Sequence, residues 1–284
     1  MSEGSLYHAR LPYAPWRDTA TDRLPGMVPV ALDTWLRVDE TYGAQLARRR
    51  SLLASERARV IAALPDASPA MSELYETVVA TLAARLDFSV GSQWVTCPDG
   101  ARVARDPADP LGTLGCLCQE DFCIMEREEG GAPDGGEHAL TAAVLCFPAN
   151  WTLAEKIGQP LTRIHRPVPA YLRDGAQGLA PRVQRLFDAL APGRVLMRMN
   201  ANWTDAADPF SPRLEADGHE LADGRFMRVE RQTLRRLPQT GAVVFGIHTC
   251  LVPREGLSAE DRAGHARYAA LQSDRAEARA RKTG

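Results

Sequence analysis

The residues with chemistry to offer are six histidines, six cysteines and one glutamate set among arginines. Of the histidines, His165 has the most constrained setting. It lies in the segment PLTRIHRPVPAY (160–171), where Pro167 and Pro169 fix their own φ angles and bias Arg166 and Val168 toward extended backbone. A histidine on so stiff a segment has a preset direction, which an axial metal ligand requires. The competing reading is a hydrogen-bonded core histidine. His248 alternates onto the same side as Val244 and Cys250 and reads as a core histidine. His8 and His265 fall in terminal segments, and His138 and His219 beside glycine-rich turns, so all four are expected at the surface.

Glu230 sits in the run RVERQTLRR (228–236). Strand alternation puts Arg228, Glu230 and Gln232 on one face and Val229, Arg231 and Thr233 on the other. Glu230 is then either an ion-pair hub or a carboxylate waiting for a cation, and the planar guanidinium forks nearby can grip carboxylates two-handedly. A solvated edge strand is the plainer alternative. Cys116, Cys118 and Cys123 offer three thiols within eight residues. Read as a strand, Leu114 to Cys118 would point Cys116 and Cys118 to one face, whereas most metal clamps use C-x2-C in a turn. Cysteines acting as small apolar side chains in a sheet are the other reading. Gln119, Glu120 and Asp121 read as an ordinary polar turn.

These residues must be held by a mixed set of elements. Residues 1–34, rich in proline and tryptophan, read as an extended arm that Tyr13, Trp16 and Trp35 could dock. A helical pattern runs from about Asp39 to Pro65, and a second carries Leu74, Val78, Leu82 and Leu86. Six strands are expected, at 114–118, 122–126, 140–147, 195–200, 226–233 and 243–252. Short helices fall at 153–157 and 181–190, and an exposed helix at 258–282. The expectation is an α+β fold with one antiparallel-dominated sheet, a helical N-terminal layer and a C-terminal helix, residues 35–255 forming a single domain. No G-x-G-x-x-G follows a strand and no Walker sequence occurs, which argues against nucleotide binding by those routes.

The 34 basic residues comprise 32 arginines and two lysines against 36 acidic ones, a formal charge of −2. A nucleic-acid-coating role is not expected from that balance. No secretory leader is visible, and no apolar run approaches a membrane span. A cytoplasmic protein with reduced thiols is the expectation.

The pieces QEDFCIM (119–125), FPANW (147–151), KIG (156–158), IHRPVP (164–169), NANW (200–203), VERQTLRRLP (229–238) and TGA (240–242), in this order, resemble the haem-dependent oxidative N-demethylase family. The resemblance spans roughly residues 25 to 255. It implies a PAS-like haem-binding domain and a monooxygenase subunit that removes a methyl group, as formaldehyde, from a small secondary amine such as dimethylamine. It also implies haem b on this chain, with NADPH, FMN and a 2Fe-2S cluster on partner reductase subunits. His165 would be the iron ligand and Glu230 the partner of the substrate ammonium. Arg231 would stand in the substrate pocket, and Arg163, Arg198 and Arg228 near the haem. A haem- or ligand-binding PAS-type sensor without turnover is the alternative.

Overall fold

The computed structural model of this chain describes residues 4–22, 26–127, 136–166, 178–217 and 224–280, with side chains to residue 270. Pro167, Pro169, Tyr171, His219 and the glycine turn at 130–135 lie outside the described residues.

Helix α1 (Tyr42–Ser55) buries Leu46, Arg49, Leu52 and Leu53 on one stripe. The helical pattern expected to continue to Pro65 breaks earlier: Glu56 caps α1, α2 (Arg57–Val60) adds one turn, and Ile61–Ala63 turns into strand. The physical reason is pairing, because Ile61 and Ala63 match Val144 and Ala142 at a sheet edge. Helix α3 (Ser68–Ala83) starts with a proline in its first turn and buries Leu74, Val78 and Leu82. Helix α4 (Pro110–Leu117) stands where Leu114 to Cys118 reads as a strand. Asp109 caps it, accepting from the Gly112 N–H at 3.1 Å, and Leu111, Leu114 and Leu117 follow at helical spacing. A short apolar run fits both periods, and the cap decides. At Gly115 a Cβ would come within 2.9 Å of Leu53 and of Val144, so glycine lets α4 press between α1 and the sheet.

The strands are β1 (Val28–Val30), β2 (Ile61–Ala63), β3 (Ser89–Val90), β4 (Trp94–Thr96), β5 (Arg102–Ala104), β6 (Asp121–Arg127), β7 (His138–Val144), β8 (Val195–Thr204), β9 (Phe226–Arg236) and β10 (Val243–Pro253). Seven of them form an antiparallel sheet in the order β1-β8-β9-β10-β6-β7-β2, and β3-β4-β5 form a small second sheet. The fold is α+β, as expected. Helices α5 (Leu153–Lys156), α6 (Leu161–Ile164) and α7 (Leu179–Ala189) follow β7, and α8 (Ala259–Ala280) ends the described chain. No helix among the described residues is long and apolar enough to cross a membrane.

The large sheet is covered on both faces. On one, Leu46, Leu74, Val78 and Leu114 from the helices pack on Phe122, Ile124, Val144 and Val244. On the other, Leu161, Phe187 and Leu190 pack on Cys123, Leu234, Val243 and Ile247, with Ile164, Val183 and Phe245 alongside. The segment before β1 lies near α8, where Trp16 and Arg17 donate to the Asp261 carboxylate.

Candidate functional site

Strand β9 sorts its side chains by parity. Opposite one another on β8 and β9 stand Arg198 and Gln232, Asn200 and Glu230, and Asn202 and Arg228. These share a face with Thr249 and Ile247 of β10, since Glu230 pairs with Thr249 and Gln232 with Ile247. Glu230 is buried and both its carboxylate oxygens are engaged. Arg228 Nε donates to Oε1 at 3.0 Å and Gln232 Nε2 to Oε2 at 3.0 Å. The Arg228 guanidinium is anchored further by the carbonyls of Pro209 at 3.0 Å and Phe147 at 2.6 Å, and by Thr249 Oγ1 at 3.3 Å. Phe147 opens the FPANW segment, whose Asn150 takes a left-handed φ of 57° that asparagine tolerates. Its N–H donates to the Ser211 carbonyl at 3.1 Å.

Arg198 is set differently. Its Nε is buried with no hydrogen-bond partner among the described residues. Burial pushes its pKa down, and Tyr268 and Glu230 pull it back up. A guanidinium whose Nε–H is buried without an acceptor favours an anion beside it.

His165 stands at the carboxy end of α6, a single turn opened by Pro160. Its backbone N–H donates to the Leu161 carbonyl at 3.1 Å, and its ring Nδ1 lies 2.9 Å from the same oxygen. A carbonyl only accepts, so Nδ1 carries the proton and Nε2 the lone pair. Burial pushes the His165 pKa below its usual value, and Arg198 and Lys156 push the same way. The imidazole is therefore neutral at neutral pH. Lys156, one of only two lysines, is buried; it donates to the Ile164 carbonyl at 3.0 Å and pairs with Glu215. It fixes the residue immediately before His165. Arg163 pairs with the same Glu215 at 3.2 Å.

His165, Arg198, Glu230 and Arg228 thus belong to the side of the sheet that α6 and α7 cover. Arg231 does not. It lies on the opposite face, donating to the carbonyls of Thr34 at 2.8 Å and Trp35 at 3.1 Å. Two open surface clefts, one bordered by His138, Asp188 and Arg236 and one by Arg225, Phe226 and Arg254, include none of these residues.

Several other expectations are corrected. His8 and His138, expected at the surface, are 1% and 2% exposed. His138 sits in β7 with Gln184 Nε2 2.9 Å from its Nδ1, and His8 is inside because its N–H pairs with the Leu251 carbonyl at 2.8 Å. Gln119, Glu120 and Asp121 are all buried rather than an exposed turn, because α1 lies over them and Arg49 donates to the Asp121 carboxylate at 2.7 Å. Cys116 and Cys118 belong to the end of α4 and Cys123 to β6, and the three do not converge as a metal group among the described residues. All six cysteines are free thiols.

Sequence reasoning missed Lys156 as a support and Gln232 as a partner of Glu230. The rarity of lysine was a usable signal for the first, and alternation for the second. The arrangement offers a neutral imidazole with a defined lone pair, a guanidinium whose buried Nε has no hydrogen-bond partner among the described residues, and a carboxylate held by one charged and one neutral donor. A family model described as HODM_asu-like, haem-dependent oxidative N-demethylase, alpha subunit-like, matches residues 26–283.

Proposed function

The chain belongs to this haem-dependent oxidative N-demethylase, alpha subunit-like, family, and from that membership we propose that it is the haem b-binding subunit of an amine-demethylating monooxygenase. The residues fit the cofactor. His165 would ligate the iron through Nε2, and its Nδ1–H, tied to Leu161, supports the reading by fixing the tautomer and strengthening the donor nitrogen. Arg198, with its unpartnered Nε, would take a haem propionate, and the pocket wall would be the apolar side chains around Ile164, Phe245 and Ile247. When bound, haem supplies the activation of O2 by which a methyl group is oxidised and lost as formaldehyde.

The protein's own part is to bind, orient and exclude water. Glu230 would receive the ammonium of a small secondary amine such as dimethylamine, the neutral Gln232 donor giving way at Oε2 while Arg228 keeps the carboxylate aimed. Arg163 supports the ligand segment through Glu215, and Arg231 anchors β9 from the far face rather than touching substrate. The domain is PAS-like on this reading. NADPH, FMN and a 2Fe-2S cluster on partner subunits would supply its electrons, which accords with an alpha-subunit-like chain, and the assembly would work in the cytoplasm.

The observation that carries the reading is the His165 Nδ1 contact to Leu161. The test is the ferric absorbance spectrum of protein produced with sufficient iron. A Soret band that shifts with dimethylamine is expected, and His165→Ala should abolish or reshape it. An unchanged band in that variant removes His165 as ligand. A band that ignores every small amine leaves the sensor reading instead.

A further inference from the structure

The face of the sheet turned away from His165 carries a second group of ligating side chains. His8 Nε2 lies 2.8 Å from Asp39 Oδ2, and His248 Nε2 lies 3.4 Å from the same oxygen. The ligand atoms of His8, Asp39 and Cys250 all fall within 4.8 Å of one another. His8, His248 and Cys250 are at most 1% exposed, and the Asp39 side chain 12%. His248 Nε2 and His8 Nδ1 are buried with no hydrogen-bond partner among the described residues. Of the two, His248 Nε2 is the one turned toward Asp39 Oδ2, and a buried imidazole nitrogen left unsatisfied beside a carboxylate is costly.

We propose that His8, Asp39 and Cys250, whose ligand atoms converge, hold a structural zinc ion, and that His248, whose Nε2 lies 3.4 Å from Asp39 Oδ2 but outside that convergent group, swings in to close the shell. Bonds of about 2.0 Å at tetrahedral angles put neighbouring nitrogen and oxygen ligands about 3.3 Å apart, and the two separations around Asp39 bracket that spacing. The charges balance, since one carboxylate and one thiolate neutralise a divalent ion and two imidazoles remain neutral. Ion binding displaces the Cys250 thiol proton and any proton shared by His8, which leave to solvent. Nitrogen, oxygen and sulfur donors in a tetrahedral set favour zinc over magnesium or calcium.

The surroundings support the ligands. Asp39 Oδ1 accepts from the Thr41 N–H at 3.0 Å, the Thr41 hydroxyl at 2.8 Å and Gln119 Nε2 at 3.0 Å, so Oδ2 is left to face the histidines. Tyr13 Oη stands 2.7 Å from His248 Nδ1 and 3.1 Å from Cys250 Sγ. With zinc bound, His248 Nδ1–H donates to Tyr13 and the phenol donates to the thiolate, so one side chain orients two ligands. The ion would join residues 8 and 39 to β10, stapling the N-terminal segment across the sheet.

Zinc is measured on the purified full chain by elemental analysis, independently of the Soret band that tests the haem reading. About one zinc per chain is expected, with Cys250→Ser and His8→Gln each losing it while the Soret band stays. Zinc-edge X-ray absorption of the wild-type chain should give one sulfur and three nitrogen or oxygen neighbours, which keeps the test open if either variant misfolds. Less than about a tenth of an equivalent from zinc-supplemented cells, undiminished zinc in both variants, or a shell of two or more sulfurs overturns the proposal.

Discussion

Glu230 divides its two oxygens between unlike partners, and that division makes a prediction. Arg228 has three other acceptors in Pro209, Phe147 and Thr249, so it is fixed in place whether or not Glu230 is charged. Gln232 is neutral and can rotate, so a substrate cation can replace it at Oε2. Glu230→Gln keeps the shape and an acceptor for Arg228 but removes the charge that an ammonium seeks. A hydrogen bond to a charged group is worth about 1.5–3 kcal/mol, so dimethylamine should bind roughly ten- to 150-fold more weakly with haem content unchanged. Titration of the ferric spectrum with the amine reads both quantities. Loss of haem from the variant would make Glu230 a structural residue, and unchanged amine affinity would remove it from the substrate site.

At the scale of elements, β6 is fixed to α1 by one buried side chain. Arg49 is fully buried and donates to the carbonyls of Gly115 at 3.1 Å, Gln119 at 3.3 Å and Glu120 at 2.8 Å, as well as to Asp121. Asp121 in turn accepts from the N–H groups of Cys146 at 2.7 Å and Phe147 at 2.9 Å, at the point where the FPANW segment leaves the sheet. Arg49→Met fills the space but strands that carboxylate, and should cost about 3–5 kcal/mol in urea denaturation; a loss under about 1 kcal/mol would show that the carboxylate is satisfied by the backbone alone. None of this junction was legible in the sequence, because it joins residues some seventy positions apart and Gln119 to Asp121 look like any polar turn. What could be read was what has a period. The alternation of β9 separates Glu230 from Arg231 by parity alone, and the long apolar runs of β6, β7 and β10 stand out. Leu114 to Cys118 deceived because the signal that makes it helical is the Asp109 cap, outside the run. Ile61–Ala63 hid inside a helical pattern because its strand state depends on β7. The setting of His165 was legible as stiffness, but its tautomer, set by the Leu161 carbonyl, was not.

At the scale of the whole molecule, the seven-stranded sheet carries a different cluster of ionisable groups on each face, and the stability of the chain should record both as pH changes. Glu120 is the clearest reporter. It is 1% exposed; Oε1 accepts from the Arg37 N–H at 2.7 Å, and Oε2 has no partner among the described residues. Burial pushes its pKa up from 4.5 to about 7, against the opposing pull of the Arg37 N–H, Arg231 and Arg49. The folded chain therefore holds this proton over a range where the unfolded chain has released it. Folding stability from this group is fully present below about pH 4.5, falls as pH rises toward 7, and stays low above it. A rise of that size corresponds to a loss on the order of 3 kcal/mol. Two of the buried histidines, His138 and His165, work in the other direction, whereas His8, raised to about 10 beside Asp39, adds to the trend of Glu120. Burial pushes the pKa values of His138 and His165 below 6.5, so their contribution grows as pH rises toward that value. The sum over both faces hides either one, but a variant isolates Glu120. Glu120→Gln still accepts from Arg37 and cannot ionise, so the difference in unfolding free energy between variant and wild type should shift toward the variant by about 3 kcal/mol from pH 5 to pH 8. A difference that stays constant across that interval would mean that Glu120 is ionised in the folded protein throughout, held by the Arg37 N–H and the charges of Arg231 and Arg49.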